Sequence, residues 1–529
     1  MRRGYEMMLF QRVAMLLLVG ILLFTTYHHA FQTHFTASSN DLIHVQLLGI
    51  NDLHGQLDQY QQLQGKKVGG AEYLASHLQA YQEKNPNTLL VHIGDMVGGS
   101  PPISSLFNDE PTIEFLNLLN VNIGTPGNHE FDRGVAEMKR LIHGGYHEKT
   151  GRFKGATAKY ISSNVLDKKT GKTVFPPYII KKINGIKIGF IGVVTTDTND
   201  FVLSNSRQEV VITDEVNAIN KSAQQLKEQG VRSIVVLAHI AVNSDQNGGN
   251  PKEDLAEMAY KVDDEVDVMF GAHNHQYANT IVDDKLLVQA YSYGKAFSQV
   301  ELGIDKRTEE ITYKQAEIVP VEHKSVKPDP KVMTLLQTYK DQLGTHAGKT
   351  IGTLPYKLTR KKNERAESPL AQLVAEASRK EMQADIALVH HGGIRASLPK
   401  GDVTKKELYT AFPFEHHLVK IELTGKELYE VLEQQWSEKY DAALQTAGIT
   451  VEWNELAPFG ERIEEIKAES GEPIELTQTY TIALSNYLQE GGDGFSKFKS
   501  TKVLQKGPLV VDAVATHFEE VNLKSFTNQ

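Results

Sequence analysis

The sequence predicts two α/β domains joined by a helix. Three observations carry that reading. Short Val-, Ile- and Leu-rich runs recur between polar or helical stretches from residue 42 to about 320, prolines break the chain at Val319-Pro320 and Lys327-Pro328-Asp329-Pro330, and a fresh set of helix-start signals follows residue 349. Apolar runs of this length suit strands covered on both faces, and their alternation with helices argues for layers. At 529 residues the chain is long enough for two cores.

The first 40 residues stand apart. Arg2, Arg3 and Arg12 precede an uninterrupted apolar run over 13–24, the order of a charged leader followed by its hydrophobic segment. The run is short for a membrane span, which needs about 20 residues. The nearest match to a cleavage site is Phe35-Thr36-Ala37. The expectation is export, to an extracellular or cell-surface location, with this segment engaging the membrane or the export machinery; cleavage and retention as an anchor both stay open. There is no cysteine, which excludes disulfides, a lipidated cysteine and thiolate metal ligands. The formal net charge of -10 argues against a nucleic-acid polymer as partner. A small phosphorylated substrate remains compatible, because metal ions can supply the positive charge.

Residues 41–325 form the first predicted domain. Strands are expected at 42–50, 89–93, 121–123, 186–193, 234–237 and 266–270, and helices at 71–81 and 215–229. A linker helix is expected within 326–348, because Val332, Leu335, Leu336, Tyr339 and Leu343 fall at helical spacing and the pattern stops at Gly344. The second domain, 349–529, reads as α/β or α+β. Ser368-Pro369 offers an N-cap and a first-turn proline. Thr404 with Glu407, and Thr424 with Glu427, fit capping boxes, and strands are expected at 386–389, 418–423 and 480–484.

The chemistry sits just past the strand ends. Asp52-Leu53-His54, Gly94-Asp95, Gly127-Asn128-His129-Glu130, His239 and Gly271-Ala272-His273-Asn274-His275 each follow a predicted strand. In an open α/β sheet those carboxyl ends share one edge, where ligands bind. Two divalent ions about 3.5–4 Å apart require roughly four ligands each and a shared bridge. Asp95 is the natural bridge. Asp52, His54 and His275 complete one set; Asn128, His239 and His273 complete the other. These donors are compatible with Zn, Mn, Fe, Co or Ni, and a water or hydroxide spanning the pair would be the nucleophile.

The ordered stretches Asn51-Asp52-Leu53-His54-Gly55, Gly94-Asp95-Met96-Val97-Gly98-Gly99-Ser100-Pro101, Gly127-Asn128-His129-Glu130-Phe131-Asp132, His239 and 271–276 closely resemble the calcineurin-like metallophosphoesterases, and most of all their 5′-nucleotidase and UDP-sugar hydrolase branch. The resemblance implies a metallophosphoesterase domain followed by a substrate-binding nucleotidase domain, with His129 and Asp132 as a catalytic dyad. It also implies that Phe414, in Phe412-Pro413-Phe414, and Tyr487 sandwich a nucleobase. Asp493 would hold the ribose hydroxyls and Arg395 the phosphate. The chain departs from the family pattern in three places: His390 stands where Asn is usual, Ala371-Gln372-Leu373 stands for Gly-Asn-Leu, and Arg365 is displaced relative to Glu367-Ser368. His416 and His417 read as partly exposed and without a role.

The expected activity is hydrolysis of nucleoside 5′-monophosphates to nucleoside and phosphate by a dinuclear metal-hydroxide mechanism. A UDP-sugar or 2′,3′-cyclic nucleotide phosphodiesterase is the alternative on the same site, and a non-catalytic surface binding protein is the alternative of another class.

Overall fold

A computed structural model describes residues 41–437 and 442–520. The leader predicted at 1–40 lies outside these residues. Among the described residues no helix is long and apolar enough to cross a membrane.

The first domain is built on two six-stranded sheets. One runs Ile311–Pro320, Ala296–Asp305, Leu42–Ile50, Thr88–His92, Ile123–Gly124, Lys159–Tyr160; the other runs Tyr178–Ile183, Ile186–Val194, Ser233–His239, Val266–Phe270, Lys285–Ala290, Tyr277–Val282. The central strands of each sheet are parallel. Successive side chains along a strand point to opposite faces, and the consequences are visible in Leu47 and Leu48. Leu47 joins Val45, Val91 and Ile93 against Phe190, Val235, Leu237 and Phe270 of the other sheet. Leu48 turns outward to the layer formed with helices Ala71–Lys84, Glu110–Leu118 and Val135–His143. Ile234 and Val236 likewise turn outward to helix Glu215–Glu228. The order of layers is helix, sheet, sheet, helix.

This differs from the arrangement expected along a single sheet edge. Of the five strands that precede candidate ligands, Leu42–Ile50, Thr88–His92 and Ile123–Gly124 lie in one sheet, and Ser233–His239 and Val266–Phe270 lie in the other. An all-apolar strand announces that both faces are covered, but a second sheet covers a face as well as a helix does. Because the two sheets are stacked with their ligand-bearing strand ends at the same side, the loops still converge.

The linker helix spans Pro330–Ala347, with Asp329 capping it by accepting from the backbone of Lys331 and Val332. Val332 and Leu336 are buried in the outer layer of the first domain, and the Tyr339 hydroxyl donates to Glu114 at 3.0 Å. The helical backbone breaks at Gly344, φ 56°, the residue at which the apolar pattern stops. This helix is therefore fastened to the first domain.

The second domain carries a five-stranded mixed sheet, ordered Leu444–Ala447, Ile386–His390, Thr479–Ser485, His417–Thr424, Gln505–Leu509. Helices Pro369–Met382 and Val510–Glu520 cover one face and Gly425–Leu432 packs on the other. Ser368 caps its helix through Ala371, and both predicted capping boxes are present at Thr404 and Thr424.

Gly49 ties the two sheets of the first domain together: a Cβ there would lie 2.6 Å from the Phe270 ring. Gly49→Ala should cost about 1–3 kcal/mol by overpacking, and Phe270→Ala about 3–5 kcal/mol by leaving a cavity. In the double variant the alanine methyl enters the space the ring vacated, so denaturant unfolding should show a total below the sum; strictly additive losses would contradict the contact.

Candidate metal centre and substrate cleft

All seven predicted ligands meet in one cluster, buried but for the partly exposed His273 and His275. Three groups of ligand atoms lie within 4.8 Å of one another: Asp52, His54 and His275; His54, Asp95 and His129; Asp95, His239 and His273. Asn128 joins them through its Oδ1, which lies 3.1 Å from His239 Nε2 and 3.0 Å from His273 Nδ1. His54 and Asp95 each belong to two of these groups, so the three groups run into one another.

The backbone is strained locally by this convergence. Asp52, His54, Asp95, His273 and His275 all have positive φ, a region that side chains other than Gly rarely enter and that clusters at functional sites. Neighbouring groups hold them there. Asp52 accepts from the His273 backbone at 3.1 Å and from Asn51 Nδ2 at 2.7 Å. The Glu130 carboxylate accepts from the backbone of Asp95, Met96 and Gly127 at 2.9, 2.9 and 2.6 Å. Gly127 admits no side chain, since a Cβ would lie 2.2 Å from Asp95 Oδ1.

Hydrogen bonds also fix the imidazoles. His54 donates Nδ1–H to the Gly98 carbonyl at 2.8 Å and His239 donates Nδ1–H to the Ile93 carbonyl at 2.9 Å. Each Nε2 is thereby turned into the cluster. His54 Nε2 lies 3.1 Å from His275 Nε2 and 3.7 Å from Asp95 Oδ2, while His239 Nε2 lies 3.3 Å from that same oxygen. Lone pairs crowded in this way need a positive charge between them.

The proton affinities say the same. Burial pushes Asp52 up to about 7, against the pull of His239. Burial holds His273 down to about 3 and keeps His54 and His275 well below the ordinary imidazole range. For His239 burial opposes a charge, but Asp95 outweighs it and raises the group to about 9. A proton there does the work that a divalent cation would do. The oxygen and nitrogen donors fit such ions, and the absence of thiolates leaves Zn, Mn, Fe, Co and Ni compatible.

His129 Nδ1 lies 2.8 Å from Asp132 Oδ2, and its ring is 4.9 Å from that of His54. Burial works against a charged His129, yet Asp132 and Asp95 overcome it and raise its pKa above the ordinary value.

The second domain closes over this centre. Phe414 stacks on His129 at 5.7 Å between ring centroids, and the Arg395 guanidinium lies 5.8 Å over the Phe414 ring. Arg395 Nε is buried with no hydrogen-bond partner, and its charge lowers the proton affinity of His54, His273 and His275. It is a cation facing the cluster with a donor to spare. Lys406 reaches Asp58 of the first domain at 2.9 Å. Between the domains lies a cleft of about 420 Å³ whose walls include Gly99, His129, Asp132, Phe414, His416 and Tyr487. The Tyr487 hydroxyl donates to Asp493 Oδ1 at 2.6 Å. The structure thus brings Arg395, Phe414, Tyr487 and Asp493 to the same side as the cluster of candidate metal ligands.

Sequence reasoning missed three residues here. Glu130 braces the loops of Asp95 and Gly127, a role visible only once those loops are adjacent. Arg360 donates to the Arg395 carbonyl at 2.8 Å and lies beside Tyr293, whose ring is 5.1 Å from His275; Arg365, the displaced arginine, is exposed. His416 is half-buried in a ring stack, whereas His417 is exposed. The alternation Phe414-Glu415-His416 ahead of a strand was the available signal for placing His416 on the Phe414 side.

Known proteins place this architecture. The calcineurin-like phosphoesterase family matches residues 45–277, and the 5′-nucleotidase C-terminal domain matches residues 346–500. The chain is 36% identical over 473 residues to the endonuclease YhcR of Bacillus subtilis (strain 168), covering 88% of this chain and 38% of that one. It is 32% identical over 515 residues to the cell wall protein Lmo0130 of Listeria monocytogenes, covering 88% and 65%. The chain therefore spans less than two thirds of either relative. A crystal structure of a 5′-nucleotidase precursor from Thermus thermophilus shares the fold, with a TM-score of 0.77, 24% identity, and coverage of 90% of this chain and 96% of that one. The fold is that of the calcineurin-like phosphoesterases followed by a 5′-nucleotidase C-terminal domain, with a cluster of His, Asp and Asn donors that could hold divalent metal ions. The chain thus combines a calcineurin-like phosphoesterase domain with a 5′-nucleotidase C-terminal domain.

If Asp95 bridges two ions, the purified protein should bind about two divalent ions per chain. Elemental analysis of a folded Asp95→Asn variant should show a clear loss, and full occupancy in that variant would contradict the bridging role.

Proposed function

We propose that this protein hydrolyses nucleoside 5′-monophosphates to nucleoside and phosphate outside the cytoplasm, using two divalent ions. The observation that carries the reading is the contact of the two domains at one cleft. His129, beside the metal cluster, stacks on Phe414 of the second domain, so the phosphate and nucleoside ends of one small molecule are served together. Export is supported by the leader pattern of the sequence, and a cell wall protein stands among the relatives.

In this reading Asp52, His54, Asp95 and His275 hold one ion, and Asp95, Asn128, His239 and His273 hold the other. Bound there, the ions supply Lewis-acid charge to the phosphoryl group and lower the pKa of the attacking water. Arg395 offers its unpaired Nε–H to a phosphoryl oxygen. Phe414 and Tyr487 flank the base, and Asp493 accepts from ribose hydroxyls. The P–O5′ bond breaks as water adds to phosphorus, and the 5′ oxygen takes a proton. His129 gives that proton, held in orientation and kept charged by Asp132.

The sign of the pH dependence follows. An acid with a raised pKa is charged below that pKa and loses its proton as pH rises through it, so turnover should fall on the alkaline side. Asp132→Asn removes the main stabiliser of the imidazolium and should move that limb to lower pH. His129→Ala should cut turnover by about 10²-fold or more with metal content unchanged. An unmoved limb, or full turnover in metal-loaded His129→Ala, would remove His129 from this role. Phosphate release from AMP, UDP-glucose and a 2′,3′-cyclic nucleotide, measured with several divalent metals and after chelation, tests the substrate class. Silence on all three nucleotides, beside activity on other phosphoesters, would overturn it.

A further inference from the structure

We infer that His416 occupies the base slot of the cleft and determines its selectivity, because a nucleobase can stack between Phe414 and Tyr487 only by displacing this imidazole. The inference rests on the reading above that those two rings hold a base.

The geometry is a ring column. The His416 ring lies 5.1 Å from Phe414 at 12° and 5.2 Å from Tyr487 at 10°, both within the offset-stacked range. A flat heteroaromatic ring inserted between two nearly parallel rings is the arrangement a base would adopt. His416 is thus an internal stand-in for the base. His390, whose ring is 6.1 Å away, closes the column on one side and lies 4.7 Å from Tyr487.

Stacking is what holds the imidazole. Burial, with His390 and His129 nearby, pushes its pKa down to about 3, so it is neutral under ordinary conditions and no ion pair pins it. Its backbone is fixed, since its carbonyl accepts from Val510 N at 2.9 Å. Movement therefore falls to the side chain. The hollow behind it, within the second domain, has about 30 Å³, room for water and not for a ring. The cleft in front has about 420 Å³. The imidazole leaves toward the cleft.

The consequence is a split between substrates. A phosphomonoester without a base reaches Arg395 and His129 with the column intact. A nucleotide must first give up two ring contacts that His416 makes, and recovers them with its own base.

The test uses the full chain with three variants, His416→Ala, His416→Gly and His416→Phe. Adenosine binding is measured by calorimetry, and AMP and ribose 5-phosphate are compared kinetically. His416→Ala and His416→Gly should bind adenosine about tenfold more tightly, the equivalent of two ring contacts no longer displaced. They should lower KM for AMP by a similar factor and leave KM for ribose 5-phosphate unchanged. His416→Phe keeps a more apolar ring in the column and should weaken adenosine. Unchanged or weaker adenosine binding in the small variants overturns the inference, making the imidazole part of the base platform instead; so does a failure of every form to bind adenosine. Adenosine tightening without phosphate release from AMP would leave the slot assignment standing and defeat the hydrolytic reading. AMP turnover with no change in adenosine binding would do the reverse.

Discussion

The burial of Asp95 among imidazoles is the constraint on which the rest of the structure depends. Asp95 is 1% exposed, and desolvation by itself raises the pKa of its carboxyl. His239, His129 and His54 overcome that penalty and hold it well below the usual carboxylate range. Such an arrangement is costly unless every charge is matched. The two stacked sheets bring these groups together from sequence positions more than 200 residues apart, into a cluster that could hold divalent cations.

Holding the ligands in place requires strain and a brace. Five of the seven candidate ligands take left-handed backbone conformations, each costing about 1–3 kcal/mol. Glu130 offsets part of this by tying Gly127 to Asp95 and Met96 through three backbone donors. The same carboxylate is pushed up to about 7, by burial first and by Asp95 next. A proton on Glu130 would cost the brace acceptor strength, so the loops and the ionisation of the cluster are linked.

Much of this was legible in the sequence, and the reason is physical. Ligands that follow buried strands reveal themselves by position, because the carboxyl ends of parallel strands collect on one side. Asp52, His54, Asp95, Asn128, His239, His273 and His275 stand out in that way as candidate ligands, and the structure brings all of them together. The division into two sheets was not legible, since Val235 and Leu237 would read identically beneath a helix. Nor was the role of Glu130, which depends on two loops meeting across the sheet. Arg360 belongs to a pocket wall formed by the second domain, where no periodicity marks it as facing a cleft, and the alternation that puts His416 on the Phe414 side does not say that this side faces one. Helix ends fared better, because Ser368, Thr404 and Thr424 cap through residues three positions away and the signal is local.

Two domains contribute to one cleft, and that shared use is the central claim. The linker helix is fastened to the first domain through Val332 and Leu336, which leaves Gly344 and the chain after it to absorb any domain movement, while Lys406 and Asp58 join the closed faces. The most direct test is the ratio of kcat/KM for AMP to that for ribose 5-phosphate in a Phe414→Ala variant. If the second domain holds the base while the first cleaves the phosphate, the ratio should fall by about tenfold, the contribution of one stacked ring, with ribose 5-phosphate hydrolysis retained. An unchanged ratio would show that the aromatic wall does not touch the nucleoside, and would contradict the account.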